Sequence, residues 1–409
     1  MIKYKKFELV FFIILLIISF TSSFLLKNNL EYNQALGKHT FVLFVPWFLY
    51  IIYHSIYNIE IKIYKYLIFI FVSCIPLLSF VNNEIFHLVG DDSNVYSIHA
   101  NYMINNSTLN GNVLGGIFED QPGFPYFLGI EILLFGKQTR GMQFLNIFIF
   151  FTVYLFFIKK FILEFKEKKI ILLILILSLP YSIKSILFTY NEWLCVLFLI
   201  SFYIATQNKK YFLAIVFISL LSFIRQNLLV ISLILYFVSM FNIFKSSNNK
   251  NKLFLYTIVY FSILFLPIYH NFFYGGEFTF FVSTRPFNSE IFSSLIDLVN
   301  PLVYINQSNE IFNLYKEFFE KIILTDGRSS SNIIISIFVP CMAIYFIYIV
   351  FIEENIIIKF LLIFFSISVF YPTIFLGHLA PPRFEYVNLF SIYILYPLIK
   401  NKRLTLNDK

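Results

Sequence analysis

Apolar runs recur along the chain at about 8–26, 41–58, 66–81, 141–158, 170–187, 192–206, 211–223, 228–244, 253–268, 332–351, 357–375 and 387–400. Their number and spacing leave few folds open. Only 13% of the 409 residues are charged, while 59% are hydrophobic. A soluble domain carries about 25% charged residues, and a chain with half that cannot dress a water-facing surface. This excludes a cytosolic globular enzyme, a nucleic-acid binder and a disordered protein. The expected fold is all-α: a polytopic transmembrane helical bundle of about 12 spans. Several runs are short for a hydrocarbon core of ~30 Å that asks for ~20 residues.

The charges orient the spans. Lys3, Lys5 and Lys6, then Lys62 and Lys65, then the cluster Lys159, Lys160, Lys166, Lys168 and Lys169 all fall on one side if the spans alternate. So do Lys209 and Lys210, Lys245, Lys250 and Lys252, and the tail with Lys400, Lys402 and Arg403. Under the positive-inside rule this side is cytoplasmic. The net charge of +8 is therefore read as orientation rather than as a nucleic-acid footprint. It predicts a multi-pass inner (plasma) membrane protein with both termini in the cytoplasm. Glu353 and Glu354 form a cytoplasmic turn that adds nothing, since acids count little in this rule. The first run lacks a small-residue cleavage site and is expected to stay as a span. Residues 124–136 are apolar but too short to cross, and are expected to form a re-entrant half-helix.

Two long stretches stay outside, 82–123 and 269–331. Loops of that length are usually functional or separately folded. The chain is read as a single membrane domain, 1–409, with these two external loops carrying juxtamembrane helices, one of them an amphipathic helix near 308–322. Cys74, Cys195 and Cys341 lie in apolar runs with no metal-ligand or disulfide spacing. No metal ligand set is assigned, and a role for a divalent metal ion stays open. The excess of Phe, with 56 copies, fits an AT-rich coding bias and lipid-facing bulk better than a binding role.

Polar residues at the external face carry the chemistry. Gly90-Asp91-Asp92-Ser93-Asn94-Val95-Tyr96 offers a carboxylate pair at the membrane boundary. It reads either as a solvated helix start, with Asp capping backbone N–H groups, or as a general base at a lipid-facing site. Neighbouring residues do not face each other on a helix, so one aspartate would enter the site and the other support it. Glu119-Asp120-Gln121-Pro122-Gly123-Phe124-Pro125-Tyr126 opens the half-helix, as a Pro-rich turn that starts a helix with acids favoured at its N-terminus or as a second polar wall. Glu192, in Tyr190-Asn191-Glu192-Trp193, stands at the mouth of an apolar helix, where a carboxylate is costly unless wet or paired. Solvent exposure is the plain reading. Arg225, in Phe223-Ile224-Arg225-Gln226-Asn227, interrupts a long apolar run. It either snorkels to headgroups or holds a phosphate through its planar fork. His378, Arg383 and Glu385 join the last two spans, where Arg383 also has Glu385 as an ion-pair partner. Carboxylates and guanidinium groups gathered at a lipid–water boundary suit a substrate with a lipid tail, a phosphate and a sugar.

The order of these motifs resembles the GT-C superfamily of polytopic glycosyltransferases, which includes the protein mannosyltransferases and the lipid A aminoarabinose transferase. The resemblance covers about 66–245 and 370–400. It rests on Asp91-Asp92 with Tyr96, on Pro122 to Tyr126, on Gly136 with Arg140, on Glu192, on Arg225, and on Arg383 with Phe384 and Tyr386. Two extra spans precede the acidic loop, and a family double Pro is here Gln121-Pro122-Gly123-Phe124-Pro125-Tyr126. The resemblance implies transfer of a sugar from a polyprenyl-phosphate carrier to a lipid, glycan or protein acceptor outside the cell, usually with inversion. Asp91, then Asp92, would be the base that takes the acceptor proton. Arg225 and Arg383, helped by His378, would stabilise the leaving phosphate. Glu192 would orient hydroxyls, and Tyr96, Glu119, Asp120 and Gln121 would line the pocket.

Two other classes compete. An oligosaccharide repeat-unit polymerase, as in O-antigen or capsule synthesis, has a similar size and external loop. Such loops tend to carry several Arg residues, and 82–123 has none. A lipid-linked glycan transporter or flippase would tend to show internal repeats and mid-membrane charges, whereas the polar residues above gather at one face.

Overall fold

The computed structural model describes residues 91–109, 123–136, 145–154, 156–157, 191–246, 250–276, 300–324, 333–375 and 382–404, with isolated positions elsewhere. Every described element is a helix. In chain order these are α1 (Asp91–Asn105), α2 (Gly123–Phe135), α3 (Leu145–Tyr154), α4 (Glu192–Gln207), α5 (Tyr211–Ile224), a 3-10 turn (Gln226–Leu228) and α6 (Leu229–Ser246). There follow α7 (Lys250–Leu264), α8 (Leu266–Gly275), α9 (Pro301–Asn306), α10 (Ser308–Leu324), α11 (Ile333–Ile352), α12 (Ile356–Phe375) and α13 (Pro382–Leu404). Among the described residues, Gln226–Phe244 and Asn251–Gly275 are long and apolar enough to cross a membrane. The other apolar helices are shorter.

The chain divides into two compact units. The first comprises 1–109, 125–193 and 329–334, the second 110–124, 194–328 and 335–409. In the first, Tyr126 of α2 donates from its hydroxyl to the Leu109 carbonyl at 3.1 Å, tying α2 to the chain that follows α1. Phe150 and Tyr154 of α3 are wholly buried and stack at 5.7 Å.

In the second unit α5 lies against α6 and α7, α6 against α12 and α13, and α12 against α13. Side-chain hydroxyls pin the first group. Ser232 of α6 donates to the Ile218 carbonyl of α5 at 2.6 Å and lies 2.9 Å from the Tyr260 hydroxyl of α7. Tyr236 and Tyr260 stack at 4.1 Å, and Tyr236 reaches Thr257 at 2.9 Å. Small hydroxyls at such contacts let helix backbones approach and add interhelical hydrogen bonds. The turn from α4 to α5 is tight: Lys209 takes φ 58°, and the Lys210 N–H donates to the Ala205 carbonyl at 2.8 Å.

The run expected at 253–268 extends further, through α8 to Gly275. Pro267 does not stop it, because it occupies the first turn of α8, where no backbone donor is needed. Gly276, at φ 73°, ends the helix in the left-handed region. The helix expected near 308–322 is α10, with Ile311, Leu314 and Tyr315 half-buried and Glu310, Lys316, Glu317 and Glu320 exposed. Burial raises the Tyr315 phenol above the usual range.

Candidate functional site

In the first unit, Asp91 and Asp92 are the first two residues of α1. Acids are favoured there by the positive end of the helix dipole. Their side chains lie outside the described residues. One turn on, Tyr96 is buried, and its hydroxyl accepts a hydrogen bond from the Asn191 side-chain amide at 3.3 Å. This bond joins the acidic helix start to the residue that immediately precedes α4.

Glu192 opens α4 and is 1% exposed. The solvated reading of this acid is therefore overturned. Its carboxylate accepts from the Ser185 hydroxyl at 3.5 Å, and the same hydroxyl accepts from the Trp193 backbone N–H at 3.2 Å. Ser185 thus caps the helix while touching the acid. Negative charge at a helix N-terminus is stabilised by the exposed N–H groups. Position in the helix and the serine both help an otherwise costly burial.

In the second unit, α5 ends at Ile224, and Arg225 is a single extended residue at φ −146°, ψ 105°. Its N–H closes α5 by donating to the Leu221 carbonyl at 3.0 Å. Its own carbonyl accepts from Leu228 N–H at 3.0 Å to start the 3-10 turn. No Gly or Pro makes this break. Both backbone groups of Arg225 are satisfied within it, so an ordinary residue can hold the conformation. The side chain is 1% exposed and is the largest fully buried one among the described residues. It does not snorkel. Gln226 beside it is also buried.

The Pro-Gly stretch before α2 has a packing reason. A Cβ on Gly123 would lie 2.4 Å from the Phe223 carbonyl oxygen. Only glycine permits this approach of the α2 start to the end of α5, two residues before Arg225. Phe124, next in sequence, is wholly buried.

Of the remaining expected site residues, Glu119, Asp120, Gln121 and His378 lie outside the described residues. Arg383 is in the first turn of α13, with its side chain outside them. Among the described residues, no group of three or more His, Cys, Asp or Glu could hold a metal ion. Sequence reading passed over Ser185, because nothing local marks a capping serine seven residues ahead of its acid. It also passed over Glu131, the lone acid in the apolar stretch of α2, which is buried beside Asn146 of α3. An acid isolated in such a stretch was signal enough to find it.

No family model, no curated protein and no solved structure matches the chain.

Proposed function

We propose that this chain is a multi-pass membrane glycosyltransferase of GT-C type. It moves a sugar from a polyprenyl-phosphate donor to a lipid, glycan or protein acceptor on the extracytoplasmic face, in cell-envelope glycan, glycolipid or glycoprotein synthesis. The supporting observation is the burial of two charges of opposite sign at helix ends, Glu192 at the start of α4 and Arg225 past the end of α5. Buried charges are seldom kept without a partner or a function. A water-excluded guanidinium is suited to the charge that grows on a departing phosphate. A buried carboxylate at a helix start is an acceptor of the kind that orients sugar hydroxyls.

On this reading Asp91 takes the proton of the acceptor hydroxyl or amine as that atom attacks the anomeric carbon. The bond from that carbon to the phosphate oxygen breaks, and the phosphate leaves with the electron pair. Arg225 and Arg383 receive the charge. Removing a general base costs about 10²–10⁴ in rate. Asp91→Asn is expected to insert normally and lose transfer by that factor, measured as radiolabelled sugar moved in membranes. Near-normal product from the variant would sink the assignment. A ladder of repeats in place of one added sugar would identify a polymerase. Movement of the lipid-linked glycan without a covalent product would identify a flippase.

A further inference from the structure

Glu131 lies on the inward face of α2. Phe124, Leu128, Glu131 and Ile132 are buried, whereas Ile130, Leu133 and Leu134 on the other face are 57%, 70% and 70% exposed. Glu131 and Asn146 are each 6% exposed, and the Asn146 side-chain amide hydrogen-bonds the carboxylate. The other carboxylate oxygen, Oε2, is buried with no hydrogen-bond partner among the described residues. An acceptor in that condition is costly to keep, and native structures rarely keep one without a use.

Its surroundings suggest the use. Phe127, one helical turn before Glu131, meets the Trp193 ring edge-on at 5.8 Å, and Trp193 follows Glu192 in the chain. A turn of helix rises about 5.4 Å. Glu131 therefore stands about one turn along α2 from the residue that touches Trp193. The same unit also holds the Tyr96–Asn191 bond. A carboxylate with acceptor capacity, an amide and aromatic rings within one compact unit are the groups that hold a polyol. The carboxylate accepts from hydroxyls, the amide donates to oxygen, and the rings cover C–H faces.

We infer that Glu131 and Asn146 form a hydroxyl-binding subsite for the sugar of the lipid-linked donor, an assignment that rests on the transfer activity proposed above. The test uses the full chain in nanodiscs, with Trp47→Phe leaving Trp193 as the one remaining tryptophan of the two in the sequence. Trp193 fluorescence is followed during titration with bare undecaprenyl phosphate and with undecaprenyl phosphates carrying a hexose or a pentose. The parent is expected to bind at least one sugar-bearing lipid more tightly than the bare lipid. Glu131→Gln, nearly equal in volume, is expected to lose about tenfold or more of that preference and to bind the bare lipid as before. Glu131→Leu should lose the preference as well. Full preference in Glu131→Gln would overturn the subsite and leave the transfer reading standing. A parent that binds no sugar-bearing lipid better than the bare one would overturn both. Lowered melting temperatures in both variants with the preference intact would assign Glu131 a structural role and also overturn the subsite.

Discussion

Adding one methyl group at Gly123 tests the packing at the end of α5, two residues before Arg225. The new Cβ of Gly123→Ala would stand 2.4 Å from the Phe223 carbonyl oxygen, 2.7 Å from its carbonyl carbon and 2.8 Å from Cδ1 of its ring. Carbon atoms rest at about 3.5–4.0 Å, so the contact must open by roughly an ångström. Two of the three obstructing atoms are backbone at the end of α5, and they cannot turn aside as a side chain can. Overpacking costs about 1–3 kcal/mol, and backbone obstruction places this case near the upper end. At the first position of α2 alanine recovers less than the roughly 0.5–1 kcal/mol it gains in a helix interior. The net is a loss of about 2 kcal/mol, or about 30-fold in the folding equilibrium. Gly129 is the internal control, because in the same helix a Cβ there meets nothing within 4 Å. Gly129→Ala should be neutral or gain about 0.5–1 kcal/mol. Unfolding of both variants by rising dodecyl sulfate in mixed micelles, followed by helical circular dichroism, measures the difference. Equal stability of the two would refute the close approach.

Two further substitutions separate function from architecture. Arg225→Lys keeps the charge and loses the planar fork; transfer should fall about 10²–10³-fold with the fold intact, and unchanged transfer would remove Arg225 from the phosphate site. Tyr396→Phe deletes the hydroxyl that donates to buried Glu353 at 3.0 Å. It should cost about 1–3 kcal/mol in the same detergent titration while leaving transfer per folded molecule unchanged, and unaltered stability would refute that role.

The helices from Glu192 to Ser246 were readable from local punctuation. The expected spans 192–206, 211–223 and 228–244 differ from α4, α5 and α6 by two residues or fewer at each end. The Lys209–Lys210 turn and the Arg225 break divide the apolar pattern cleanly. Burial was not readable in the same way. Glu192 and Arg225 each had a solvated or interfacial reading, and only long-range packing decides against it. The same limit hid the use of Glu353. Read as a turn acid of no consequence to topology, it is buried, accepts from Tyr396 of α13 and also accepts from the Asn355 backbone N–H at 3.3 Å. Its partner lies 43 residues away, at a distance no local pattern records. The glycine of Gln121-Pro122-Gly123 likewise looked like turn chemistry, and its purpose appears only once Phe223 is placed against it.

The brevity of α5 has a consequence for the surrounding lipid. Its 14 residues, at about 1.5 Å each, make a rod of about 21 Å. The hydrocarbon core of a bilayer is about 30 Å thick. On the membrane reading, such mismatch is relieved by local thinning of the bilayer as well as by movement of protein side chains. Since the Arg225 side chain stays buried, the adjustment falls on the lipid. A dimple at this end of α5 would bring the phosphate layer down toward Arg225.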